Sequence, residues 1–203
     1  MKNTMLALSL ASLSMAGHAA GEPARFMLGG SLALEHSNFI DDVNDELAGT
    51  GLSLDDQGAS VGSDVYAGVA VSGLSTLRLG YHRFGNQRGD ISTGGLKVGD
   101  TELQGDGLYL AFDAMLPVSQ QVFLGGTLGL QDWHGEATVA AGAVSEQIRD
   151  DARNVFLGVG GKVLLGGGGG AVTFGYTYYT FDEENSNDSI NYDSFHVGME
   201  AYF

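Results

Sequence analysis

The sequence offers little for catalysis: five histidines, a scatter of carboxylates and no cysteine. His36-Ser37 invites a nucleophile-and-base reading. Neighbouring residues on a strand point to opposite faces, so this pair cannot form the hydrogen bond that activation needs. His82 and His196 share one strand parity with acids, but no serine is brought beside them by spacing. His82, His134 and His196 do not follow a metal-ligand spacing either. Oxygen-rich stretches lie at Asp41, Asp42, Asp45, Glu46, Asp55 and Asp56, and again at Asp182, Glu183, Glu184 and Asp188, with no basic residue among them. Calcium, or divalent bridges to lipopolysaccharide, would suit such groups. However, 41–46 lacks the glycine required at the sixth position of a calcium-binding hand, and a solvated anionic loop is the simpler reading. Gly166–Gly170 has no lysine followed by serine or threonine, so it is a turn and not a phosphate loop. The expectation is therefore no catalytic, cofactor-binding or metal-binding residue.

The elements that position these groups read as strands. Eight segments of roughly ten residues alternate apolar and polar side chains, near 26–36, 62–71, 76–85, 106–115, 122–133, 153–164, 171–181 and 193–203. Short connections (72–75, 116–121 and 165–170) alternate with long polar ones (39–60, 86–105, 134–151 and 182–191). One parity carries Leu28, Leu32, Leu34, Val65, Leu77, Leu79, Leu108, Leu110, Leu157, Val159, Phe195 and Val197. The other carries Glu35, Asp64, Arg78, His82, Asp113, Lys162, His196 and Glu200. If the apolar face meets lipid, the charges fill a lumen, where they can be paired. An eight-stranded barrel is just wide enough to be filled by its own side chains, so a structural polar core is favoured over an ion path. Inward glycines such as Gly29 and Gly80 would make room for Tyr66, Tyr109 and Tyr179.

The two ends of the chain support export. A short positive start at Lys2, an apolar run over 5–15 and small residues at Gly17 and Ala19 read as a leader cleaved after Ala19. Losing Lys2 reduces nine basic residues to eight against 25 acidic ones, a formal charge of -17. Such acidity argues against nucleic acid or an anionic lipid surface as partner. No long apolar stretch follows the leader, so any membrane crossing must be by a closed barrel. At the other end Phe195, Val197, Met199, Ala201 and Phe203 form one apolar face.

Together, the hairpin rhythm, stretches such as Gly107-Leu108-Tyr109-Leu110-Ala111-Phe112 and the terminal Phe203 resemble the small outer-membrane β-barrel superfamily. One departure is Ala201, where an aromatic is common in that group. The resemblance implies an all-β, eight-stranded antiparallel up-and-down barrel over 20–203. Its turns would be periplasmic, its long loops extracellular, and its location the bacterial outer membrane. It implies lipid and lipopolysaccharide as surroundings, insertion by the barrel assembly machinery through Phe203, and a monomer. The expected role is a non-enzymatic one in surface interaction or envelope structure, through the acidic loops and an unidentified surface ligand. The alternatives are a narrow passive pore or a barrel enzyme acting on lipopolysaccharide.

Overall fold

A strand whose alternate side chains are apolar can bury its backbone hydrogen bonds in lipid only if both edges are paired. The computed structural model, which describes residues 25–56, 58–141, 144–166, 169–182 and 189–203, satisfies this by closure. The ring strands are β1 (Phe26–Ser37), β3 (Ser60–Ser72), β4 (Ser75–Arg83), β6 (Leu96–Pro117), β7 (Val122–Ala141), β8 (Val144–Leu164), β9 (Gly170–Asp182) and β10 (Ser189–Tyr202). Each pairs antiparallel with the next, and β10 returns to β1, with Leu32 opposite Val197. The eight expected strands are all present and the ring is complete. The expected leader, its cleavage site, and Glu183, Glu184 and Asp188 lie outside the described residues.

Parity is as expected. Leu28, Leu32, Leu34, Val65, Leu79, Leu108, Leu157, Val159, Phe195 and Val197 face outward and are exposed. Glu35, His82 and Asp113 are buried inside, with Asp64, Arg78, Lys162, His196 and Glu200 half-buried beside them. From Phe195 to Phe203 the apolar face runs about 27 Å along the strand, which at a tilt of about 40° covers roughly 21 Å, most of a belt about 25 Å tall.

The long connections are where the structure departs from expectation. The segments 86–105 and 134–151 are mostly strand, not irregular loop. β5 (Gln87–Thr93) folds back on the upper part of β6 through a two-residue Gly94-Gly95 turn, with φ of 57° and 80°. Positive φ at both central residues is the hairpin geometry that matches strand twist. β7 and β8 stay paired from Val122 opposite Val163 to Ala141 opposite Val144. β6, β7 and β8 are therefore 22, 20 and 21 residues long. The first connection holds α1 (Phe39–Glu46) and β2 (Leu52–Asp56), the latter paired with β5. The result is a five-stranded sheet, β2-β5-β6-β7-β8, rising from one side of the barrel. It has a small core of its own in Ile40 and Leu54, which meet over Gly89 beside Thr101, while Leu103 packs into the barrel's cluster. Asn44 pins α1 to β2: its side chain accepts from Leu54 N at 2.6 Å and donates to Leu54 O at 2.8 Å. Above the membrane the outward face meets water instead of lipid, and the buried face carries small and polar residues such as Gly99, Thr101 and Gly105 as well as Leu103, so the apolar period fades while the hydrogen-bonded ladder continues.

Candidate functional site

The lumen is built from the polar parity. Arg78 clasps Asp113 with two nitrogens, at 2.6 and 2.8 Å, and Thr127 donates to the same carboxylate at 2.7 Å. The Arg78 guanidinium also lies 4.7 Å from the centre of the Tyr66 ring. Tyr66 donates to Glu200 at 3.0 Å and Tyr202 to its other oxygen at 2.5 Å, while Lys162 stands 3.9 Å away. Asp64 accepts from the Tyr109 hydroxyl at 3.0 Å. Glu35, fully buried, accepts from the Gly85 amide at 2.7 Å and from Ser194 at 3.2 Å, and lies 2.7 Å from His82. The four expected interior carboxylates thus all have partners, but only Asp113 holds a cation at hydrogen-bond distance. Tyrosine hydroxyls, a histidine and a backbone amide serve the others.

The tyrosines reach inward because the neighbouring strands are bare there. A β-carbon on Gly29 would lie 2.4 Å from the Tyr66 ring, and one on Gly80 the same distance from Tyr109. Ring over glycine across a strand pair fills the lumen without widening the barrel.

Sequence reasoning placed Tyr179 inside but missed the rest of the upper lumen. Phe84, Trp133, Phe156, Tyr179, Phe181 and Tyr192 are buried on the polar parity and pack together. Trp133 stacks on Phe181 at 4.7 Å, and Phe84 meets Tyr179 edge-on at 5.1 Å. This aromatic plug fills the extracellular mouth. Below it lie two small voids of about 40 and 30 Å³, both lined by Arg78 and His196 and each large enough for a few waters. The signal for the plug was a run of aromatics on the wrong face of a lipid-facing pattern. Cross-strand partners Gln131 and Asn154 are buried at this level, and their side-chain amides have no hydrogen-bond partner among the described residues.

The residues raised as candidates for chemistry do not assemble into a reacting group. Ser194 and His82 both touch Glu35, so the carboxylate separates hydroxyl from imidazole. A nucleophile needs the imidazole in between. His36 is exposed with its ring 4.0 Å from Asp56, while Ser37 is buried on the other face. His134 is exposed beside Asp151 at 3.9 Å, far from the lumen in parity and level. Among the described loop acids, Asp41 and Asp42 occupy the first turn of α1, where the helix dipole favours them. Asp55 accepts from Ser92 at 2.8 Å.

Outside, on five of the ring strands the apolar face gives way to charge. Above Tyr81, Leu108, Leu130, Val155 and Phe195 the next outward residues are Arg83, Asp106, Asp132, Arg153 and Asp193. This ring of charge marks the outer membrane–water boundary. Above it, Val144–Val155 of β8 lies beyond the last rung shared with β9, Phe156 opposite Tyr179, and so presents an open backbone edge among the described residues.

A model of the outer membrane protein beta-barrel domain matches residues 5–203. No curated protein matches the chain. Among solved structures, Ail, the attachment invasion locus protein of Yersinia pestis, determined with the heparin analogue sucrose octasulfate, is similar at 11% identity. The match covers 90% of this chain and 100% of that one, with a TM-score of 0.54. The outer membrane protein OprG from Pseudomonas aeruginosa is similar at 14% identity, covering 92% of this chain and 98% of that one, with a TM-score of 0.51. At these identities the likeness is one of fold.

Proposed function

We propose that this chain, which belongs to the outer membrane protein β-barrel domain family and resides in the bacterial outer membrane, acts without catalysis by offering its raised sheet to a partner at the cell surface. The observation that carries this reading is the edge of β8 above Phe156, open among the described residues, on a sheet that extends well past the membrane boundary. An unpaired strand edge is a template for a further strand. The sheet and α1 bear more acids than bases, among them Asp41, Asp42, Asp100, Glu136, Glu146 and Asp150 against Arg88, Lys97 and Arg149. A cationic partner surface is the complement. The heparin analogue carried by Ail is a polyanion and would not suit these residues.

A non-conducting lumen agrees with the aromatic plug and with voids of water size. The passive-pore alternative predicts stable conductance in planar bilayers, and this reading predicts none. The same reading takes residues 1–19 as a leader removed on export, Phe203 as the mark for the assembly machinery, and the barrel as a monomer. The mature protein should then begin at Ala20 on N-terminal sequencing.

The deciding experiment places a photo-crosslinking residue at Ser145, on the open edge, in living cells. A discrete adduct is expected. It should weaken as salt rises and fall when Glu136, Glu146 and Asp150 are replaced by the neutral amides. No adduct in any condition, with the barrel folded in the membrane, would sink the surface role.

A further inference from the structure

We infer that the outer rim carries a binding site for a phosphorylated glycolipid headgroup of the outer leaflet, centred on Arg83. The inference is independent of the partner proposed for the sheet, and it concerns one local cationic spot on a chain whose overall acidity disfavours a broad anionic surface. Among the described residues, six of the eight basic side chains stand in ion pairs: Arg78, Arg88, Lys97, Arg149, Arg153 and Lys162. Arg25, at the periplasmic end, and Arg83 do not. Arg83 is exposed, and although Asp106 lies opposite it in the ladder, no carboxylate comes within 4.0 Å of it. In so acidic a chain, an arginine left unpaired beside a carboxylate-bearing strand is unusual.

Its position gives the reason a chemistry. Arg83 follows Leu77, Leu79 and Tyr81 on the lipid-facing side of β4, one step above the apolar belt. It lines an outward cleft of about 390 Å³ together with Ser60, Val61, Ser63, Asn86 and Arg88. That volume falls within the range of small-molecule sites. The donors are a guanidinium with no ion pair among the described residues, the exposed Ser63 hydroxyl and the exposed Arg88, whose partner Glu102 is 3.2 Å away; the Ser60 hydroxyl is already engaged with Glu35 and Gln87. Val61, exposed on the same side, offers an apolar contact next to them. A forked cation, a hydroxyl and an apolar neighbour at the level of lipid headgroups recognise a phosphate carried on an acylated sugar. A soluble anion would have no use for the belt below. On β8 the corresponding rim arginine, Arg153, is taken by Asp132 at 2.9 Å.

The test uses the full-length mature protein folded in detergent micelles and titrated with bisphosphorylated lipid A. Folding of every variant is verified by gel mobility before and after heating. Arg83→Gln should raise the Kd at least tenfold, whereas Arg25→Gln, which removes the other unpaired arginine, should leave it unchanged. Arg88→Gln should have a smaller effect, because Glu102 already engages that side chain. Lipid A stripped of phosphate should bind the native protein as weakly as bisphosphorylated lipid A binds Arg83→Gln. Unchanged affinity in Arg83→Gln, or equal affinity for the dephosphorylated lipid, would overturn the site. Displacement by inorganic phosphate at equal concentration would overturn the glycolipid assignment.

Discussion

Within the lumen, Asp113 takes both forks of Arg78 and the Thr127 hydroxyl, whereas Glu200 takes two tyrosine hydroxyls and only a distant Lys162. Removing one member of a buried pair leaves the other charge uncompensated, at a cost of about 3–5 kcal/mol. Arg78→Ala should therefore lower the urea midpoint strongly. Lys162→Ala should lower it less, since Glu200 keeps Tyr66 and Tyr202, and Lys97→Ala, on the exposed hairpin, should not move it. Equal midpoints for Arg78→Ala and Lys97→Ala would refute the paired interior. Gln131 predicts the opposite sign. Its buried amide has no partner, so Gln131→Leu should be neutral or stabilise by about 1 kcal/mol. Outside the membrane, burial raises the Glu102 carboxyl, but hydrogen bonds from Arg88, Asn86 and Gln104 outweigh it and hold it below the usual glutamate range. A carboxylate with a depressed folded pKa stabilises the fold above its unfolded pKa and loses that contribution as pH falls through the folded value. Amide exchange in β5 should accordingly quicken below about pH 4 while the ring ladder stays protected.

Strands β6, β7 and β8 each belong to two environments, a lipid-facing lower half and a wet upper half. The lower halves are held by ring-over-glycine contacts. In Gly80→Ala the new methyl would displace the Tyr109 ring and break its bond to Asp64, at a cost of about 1–3 kcal/mol. A tyrosine that stays hydrogen-bonded to Asp64, with unchanged stability, would show that the lumen has slack. The upper halves depend on turns. Gly95 sits at φ 80°, where a branched side chain is strained. Gly95→Val should speed exchange in β5 and β2 and leave the barrel midpoint unchanged. A loss of barrel stability of similar size would mean that sheet and barrel unfold as one unit.

The whole molecule is a closed ring with a sheet rising from one side, and the two parts make separate demands. Closure leaves no backbone group unpaired in lipid, so the folded barrel should resist unheated detergent and migrate differently from the boiled chain. A single unchanged band would contradict the closed ring. Topology follows from the same closure. An epitope inserted at the Gly94-Gly95 turn should be reached by antibody on intact cells, and one at Ser119 only after the outer membrane is opened. Labelling of the Ser119 tag from outside would invert the molecule.

Local chemistry was enough to place the eight lipid-facing segments and the side that each charge takes. Lipid penalises every exposed polar group, so the two-residue period is strict from Leu28 to Leu34 and from Phe195 to Phe203. The partners of those charges were not legible. Asp64 with Tyr109, and Glu35 with His82, Gly85 and Ser194, meet across strands far apart in the chain, and only the ring's register sets the distance. The plug was hidden for a related reason. Phe84, Trp133 and Phe181 lie on the parity that alternation reserves for polar groups, and they are buried by each other, not by lipid. The raised sheet was read as loop because its outer face meets water and its buried face carries mostly small and polar residues such as Gly89, Gly99 and Thr101. Its evidence was instead pairwise: the turn at Gly94-Gly95, and Glu136 opposite Arg149. Periodicity reports what a strand faces, and tertiary structure alone decides what each side chain touches.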